Sequence, residues 1–100
     1  MIQKNSVIWS QLEKACETPA QFIRAAMSLR HENVATLAKK LQTSKAYVGT
    51  LRSESYEPPS LAACYKIANA LNLDPYILNK VCQDYKMKKY IEQENNKNHV

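Results

Sequence analysis

The sequence predicts an all-α fold, a compact bundle of about five to six helices containing a helix-turn-helix. Three observations carry this. Apolar residues recur at helical spacing along most of the chain, and the alternation of a strand is absent. Gly occurs once, at Gly49, whereas Ala, Lys and Leu, all strong helix formers, are abundant. Third, the stretch from Val34 to Arg52, VATLAKKLQTSKAYVGTLR, holds two helical stripes separated by three polar residues.

Taken in order, Ser6 to Cys16 reads as a first helix capped by Ser6. Its apolar face is Ile8, Leu12 and Ala15 or the overlapping Trp9, Leu12 and Cys16. Thr18 and Pro19 restart the chain, Thr as cap and Pro at the first helical position, with Gln21 at the third. Phe22, Ala26 and Leu29, flanked by Ile23 and Met27, form the apolar side of a helix that runs to about Arg30. Asn33 caps the next helix, where Val34, Leu37, Ala38 and Leu41 share a face. Gln42, Thr43 and Ser44 interrupt the period, and Val48 and Leu51 resume it. Ser44 is placed to cap that short helix, and the small Ala38 to lie where the two helices cross.

Residues 53–59, SESYEPP, read as a loop. Ser60 opens a helix with Leu61, Cys64, Ala68 and Leu71 at core spacing, broken at Asn72-Leu73. Asp74 and Pro75 start the last helix, with Ile77, Leu78 and Val81 continuing the core. Beyond Val81 the pattern weakens, and Asn95 to Val100 read as a disordered tail. The expected organisation is an accessory helix over 1–17, a helix-turn-helix domain over 18–82, and a helical extension with a tail over 83–100.

One hundred residues suffice for one domain, and 45% hydrophobic with 23% charged residues is ordinary for a soluble globule. Three cysteines, Cys16, Cys64 and Cys82, are an odd number without a C-x-x-C pair. They suggest neither a disulfide framework nor a zinc site but reduced thiols, Cys64 and Cys82 as small core residues. No apolar run is long enough for a leader or a membrane span, so the expected location is cytoplasmic and nucleoid-associated. An enzyme is not expected: His31 and His99 lack metal or acid partners, and there is neither a phosphate-cradling glycine loop nor a nucleophile elbow. No cofactor and no metal are expected.

The net charge is +5, and from Asn33 to Ser53 there is no Asp or Glu while Lys39, Lys40, Lys45 and Arg52 are present. A window basic without counter-charges favours a polyanion and makes binding salt-dependent, although a solvated lysine face would look the same. Two short helices joined by a tight turn are the motif that lays its second helix into a DNA major groove.

The run from Phe22 to Leu78 resembles the lambda-repressor-like, Cro/Xre-type helix-turn-helix domain of bacteria and phages. The matching pieces are LAKKL, TSKAYVGTL, Pro59-Ser60-Leu61 and KIANALNLDP, a little over half the chain. Three features depart from the pattern. Gln42 stands where Gly is usual in the turn, Arg52 and Glu54 replace the acidic residue and Gly that usually end the recognition helix, and the loop to Pro59 is one residue longer.

The resemblance implies base contacts from Lys45, Ala46, Tyr47 and Thr50, with Gly49 in the same set. Lys45 can donate to guanine, and Ala46 can meet a thymine methyl. Tyr47 can also stack on the DNA backbone or pack on the loop. Phosphate contacts are expected from Asn33, Thr36, Thr43, Ser44, Arg52, Ser55 and Tyr56. Val34 holds a position where the family often aims a polar side chain at DNA, and Lys39 and Lys40 can lie on the far side and act only at long range.

Trp9 with the first helix, and Tyr85, Tyr90 and Ile91 in the tail, either form a dimer interface or belong to the domain's own core and surface. The expected function is sequence-specific transcriptional regulation by a dimeric repressor of phage, plasmid or bacterial origin. It would read a palindromic operator in double-stranded DNA with the helix from Ser44 to Arg52. Repression is expected over activation because the chain holds no effector domain. The alternative is a protein-binding module on the same fold, such as an antitoxin, anti-CRISPR or antirepressor, with a protein partner and no membrane.

Overall fold

Side-chain caps start five of the six helices in the computed structural model, which describes residues 6–53 and 57–97 and shows no strand among them. Helix α1 spans Ser6–Ala15, α2 Pro19–Leu29, α3 Val34–Leu41, α4 Lys45–Leu51, α5 Leu61–Leu71 and α6 Pro75–Lys97. Thr18 Oγ1 accepts from the Gln21 N–H at 3.1 Å, with Pro19 at the first position, and Gln21 Oε1 accepts in turn from the Glu17 N–H at 2.8 Å. Ser44 accepts from the Tyr47 N–H, Ser60 from the Ala63 N–H, and Asp74 from the Tyr76 N–H. Asn33 and Thr36 form a reciprocal capping box. Each such cap contributes about 1 kcal/mol. The cap expected of Ser6 lies outside the described side chains.

Helix ends follow a second rule. Among the described residues three adopt the left-handed conformation, His31 (φ 56°), Gln42 (φ 54°) and Asn72 (φ 53°), and none is Gly. The amide after each turns back to a carbonyl five residues earlier: Glu32 to Met27, Thr43 to Ala38 and Leu73 to Ala68, all at 2.9 Å. These are Schellman closures, which satisfy orphan carbonyls and reverse the chain within two or three residues. Where Asn is absent, the left-handed residue costs about 1–2 kcal/mol.

All six helices supply the core. Trp9, Phe22, Ile23, Leu37, Val48, Ile67, Leu71, Leu73 and Leu78 are its large members. The stripe that packs is Trp9 and Leu12 of α1 with Cys16 just beyond its end, whereas Ile8 and Ala15 are exposed. Trp9 is 1% exposed, and its ring meets Phe22 with centroids 6.3 Å apart. Its bulk therefore serves this chain's own interior. Two expected core residues are on the surface: Leu29, in the last position of α2, and Leu61, in the first position of α5. At each end the helix has already left the packed interior, and Ile67 takes the burial assigned to Leu61's face.

Arg30 joins three elements. Its Nε and Nη2 donate to the Leu71 and Asn72 carbonyls at 3.0 and 2.7 Å, and its guanidinium lies 5.1 Å from the centre of the Trp9 ring. Lys80 pairs with Glu13 and Asp84, tying α6 to α1. Helix α6 runs unbroken through residue 82 to Lys97, so Asn95 and Asn96, expected in a disordered tail, are helical. Leu78, Val81 and Cys82 anchor its first half, while from Met87 to Asn96 every residue except Glu94 is exposed. Lys, Glu, Gln and Met sustain the helix there by propensity after packing ends. No helix among the described residues is long and apolar enough to cross a membrane.

Two outcomes follow for stability in urea titrations. Arg30→Met keeps an apolar stem over Trp9 but strips two carbonyls of a charged donor, and should cost about 2–3 kcal/mol. A loss under about 0.5 kcal/mol would mean that water replaces the guanidinium. Gln42→Gly relieves a strained backbone and should add about 1 kcal/mol. No gain would show that the Gln42 side chain offsets the strain.

Candidate nucleic-acid interface

Helix α4 has seven residues, too few to persist unaided in water. Val48 and Leu51 pin it to the core, and Ala38 is buried (4%) on the neighbouring α3. Arg24 of α2 closes its far end, with Nη1 donating to the Arg52 carbonyl at 2.7 Å. A cation at a helix C-terminus also complements the helix dipole. What these anchors leave outward is Lys45, Ala46, Tyr47 and Gly49, all exposed.

Ala46 and Gly49 make the middle of that face nearly smooth. A Cβ built on Gly49 would meet nothing within 4 Å, and its φ is not positive. Neither packing nor backbone conformation explains a glycine in a helix interior, where it costs about 1 kcal/mol against Ala. Thr50 is half-buried, and its hydroxyl donates to the Tyr47 carbonyl at 2.6 Å. On one flank, Thr43 and Tyr47 line a groove of about 350 Å³ with Ser60, Ala63 and Lys66.

The phosphate candidates divide. Thr43 and Ser44 are exposed at the turn, although the Ser44 hydroxyl is engaged as the cap. The amides of Asn33 and Thr36 are used inside the capping box, at 2.9 and 2.8 Å. The start of α3 therefore offers an anion the Val34 and Ala35 amides instead. Arg52 is half-buried, and its Nε is enclosed without an acceptor among the described residues. Ser55 and Tyr56, like Glu54 and His99, lie outside the described residues.

The positive field is weaker than the bare residue types suggest. Lys40 pairs with Glu32, which lies one residue before the acid-free window. The Lys40 hydrogen bond, then that of Thr36, holds the Glu32 carboxyl below its ordinary value. Lys39 and Lys45 are exposed and in no ion pair among the described residues. Arg24 is a contributor that sequence spacing did not reveal, because its partner lies 28 residues away on another helix. Among the described residues no three His, Cys, Asp or Glu side chains are grouped to hold a metal ion.

No family model, no curated protein and no solved structure matches the chain.

The Glu32–Lys40 pair has a defined pH signature. A depressed folded value means that the pair stabilises the fold above the ordinary carboxylate value of 4.5 and loses that effect as pH falls through the folded value. Lys40→Met should therefore be less stable than the parent at pH 7, and the gap should close on acidification below 4.5. A gap that does not vary with pH would assign the effect to the lysine stem rather than its charge.

Proposed function

We propose that this protein is a sequence-specific DNA-binding regulator in which α3 and α4 act as a helix-turn-helix, with α4 entering the major groove. The observation that carries the reading is the outward face of α4, where exposed small residues sit beside exposed Lys45 on a helix whose other face is fully committed to the core. Close approach of a helix to base edges needs such a low profile. Gly49, otherwise unexplained, supports it. Of the large apolar side chains that are exposed, Tyr47 alone is on α4, and none is on α3. A protein-binding face would carry more.

Within this reading Lys45 donates to a base edge, Ala46, Tyr47 and Thr50 complete the base-facing set, and Thr43, Ser44 and Arg52 steady the backbone. The Val34 and Ala35 amides add a phosphate seat at the start of α3. Ser55 and Tyr56 are further phosphate candidates by sequence alone. The protein acts as a repressor by occluding a promoter.

The protein works as a dimer through the outer half of α6. Met87, Tyr90 and Ile91 recur at i, i+3 and i+4 and are half or more exposed. Lys86, Lys88 and Lys89 precede Tyr90 or adjoin it, and Glu92 and Glu94 follow it. Antiparallel pairing of two copies thus sets the lysine half of one helix against the glutamate half of the other, whereas parallel pairing sets like on like.

The test is a DNA titration with fragments from upstream of the protein's own gene, against random competitor at two salt concentrations. Lys45→Ala should lose about 1–3 kcal/mol of preference for the specific site. Equal losses on specific and random DNA would reduce Lys45 to a phosphate contact. Gly49→Ala should raise stability by about 0.5–1 kcal/mol while weakening DNA binding, a split that separates fit from folding. If binding is unchanged, the low-profile face has no role in recognition, and competitor-sensitive binding by every form would favour the protein-binding alternative. Ile91→Glu should sediment as a monomer at concentrations where the parent is a dimer.

A further inference from the structure

Where α5 packs against α6, Cys64 and Cys82 bring their Sγ atoms to 3.5 Å, across 18 residues of sequence. Both are enclosed, at 1% and 0% exposure, and neither is in a disulfide. An S–S bond needs about 2.05 Å, so a relative shift of about 1.5 Å would close it.

The two thiols are not equivalent. Cys64 borders a mostly apolar groove of about 610 Å³ between α5 and α6, walled by Leu61, Tyr65, Tyr76 and Asn79. The groove is the side from which a small molecule can approach Cys64. Cys82 lies in the core with no exposed surface. Their shared hydrogen bond holds the Cys64 thiol below its ordinary range and, with burial, pushes Cys82 above it. The positive charge of Lys86 lowers both. Cys16, by contrast, is raised by burial and is only partly buried, just beyond the end of α1.

We propose that Cys64 and Cys82 are an oxidisable dithiol, which a hydroperoxide entering the groove converts to an intramolecular disulfide tying α5 to α6. The Cys64 thiolate attacks the peroxide, the O–O bond breaks, and the departing hydroxide leaves as water with the proton from Cys64. Cys64 is then a sulfenic acid. The Cys82 sulfur displaces its hydroxyl, the S–O bond breaks, and the Cys82 proton completes a second water. Two thiols and one hydrogen peroxide give one disulfide and two waters.

A consequence reaches the loop before α5. The Cys64 S–H also lies 3.7 Å from the Pro59 carbonyl. Oxidation removes that hydrogen, so the segment 57–60 that leads from α4 into α5 loses a tether as α5 gains one to α6. This inference does not depend on the DNA reading, because its test is made on the free protein.

The experiment treats the full native chain with hydrogen peroxide, quenches, denatures, alkylates with iodoacetamide and maps the peptides by mass. The expected product lacks two hydrogens, carries no alkyl group at Cys64 or Cys82, and reverts with dithiothreitol. Peptides linking Cys16 to another chain, or full alkylation of both core thiols, would overturn the proposal. So would a Cys64–Cys82 link that forms only when urea is present during oxidation. A second arm uses Cys82→Ser, in which dimedone should label Cys64, and Cys64→Ser, in which Cys82 should stay unlabelled. The reverse labelling would overturn the assigned order, and the native-chain result decides the proposal if either variant fails to fold.

Discussion

The arrangement of this molecule depends on one guanidinium. Arg30 stands at the end of α2, covers the Trp9 ring of α1, and donates to the last carbonyls of α5. Those carbonyls belong to the residues that turn the chain into α6, so the same side chain positions the start of the longest helix. On its own side, Arg30 precedes the left-handed His31 and the Asn33 cap, which aim α3. A cation is well placed at a helix C-terminus, where carbonyls lack partners. Moved from there, it would leave two carbonyls without a donor and the Trp9 ring without its cover, with only apolar packing to orient the three helices.

Much of the local structure was legible because it is written within four residues. Thr18, Asn33, Ser44, Ser60 and Asp74 cap where their types and spacing indicate, since a side-chain hydroxyl, amide or carboxylate oxygen needs only the next turn's amides. The choice between the two faces of α1 was not legible, because the overlap of Ile8 and Trp9 resolves only when Phe22 arrives from α2. Leu29 and Leu61 carry the right period but lie at helix ends, and periodicity does not say where a helix leaves the core. Arg24, Arg30 and the meeting of Cys64 with Cys82 join residues far apart in sequence, and no spacing rule encodes such pairs. The start of the tail misled in the opposite sense: its polar composition resembles disorder, yet α6 continues to Lys97, the last described residue.

The candidate site was legible in its residue types and less so in their availability. Lys45, Ala46, Tyr47 and Gly49 are exposed as the two-helix pattern implies. Lys40 and the amides of Asn33 and Thr36 are already engaged within the protein, by contacts that a list of residue types does not show. A short helix held by two core side chains, a serine cap and a distant arginine is positioned entirely by its surroundings. Its outward residues are therefore free to vary with little effect on the fold.

The outer half of α6 makes the molecule a body with an arm. The extents, 53 × 31 × 21 Å, are those of an elongated particle. From Cys82 to Lys97 the helix rises about 22 Å at about 1.5 Å per residue. A tilt of about 5° at its base would then carry the tip about 2 Å, more than the slack that a packed interface tolerates. Small adjustments at the fulcrum, where α5 grips α6 through Cys64 and Cys82, are thus magnified at the far end.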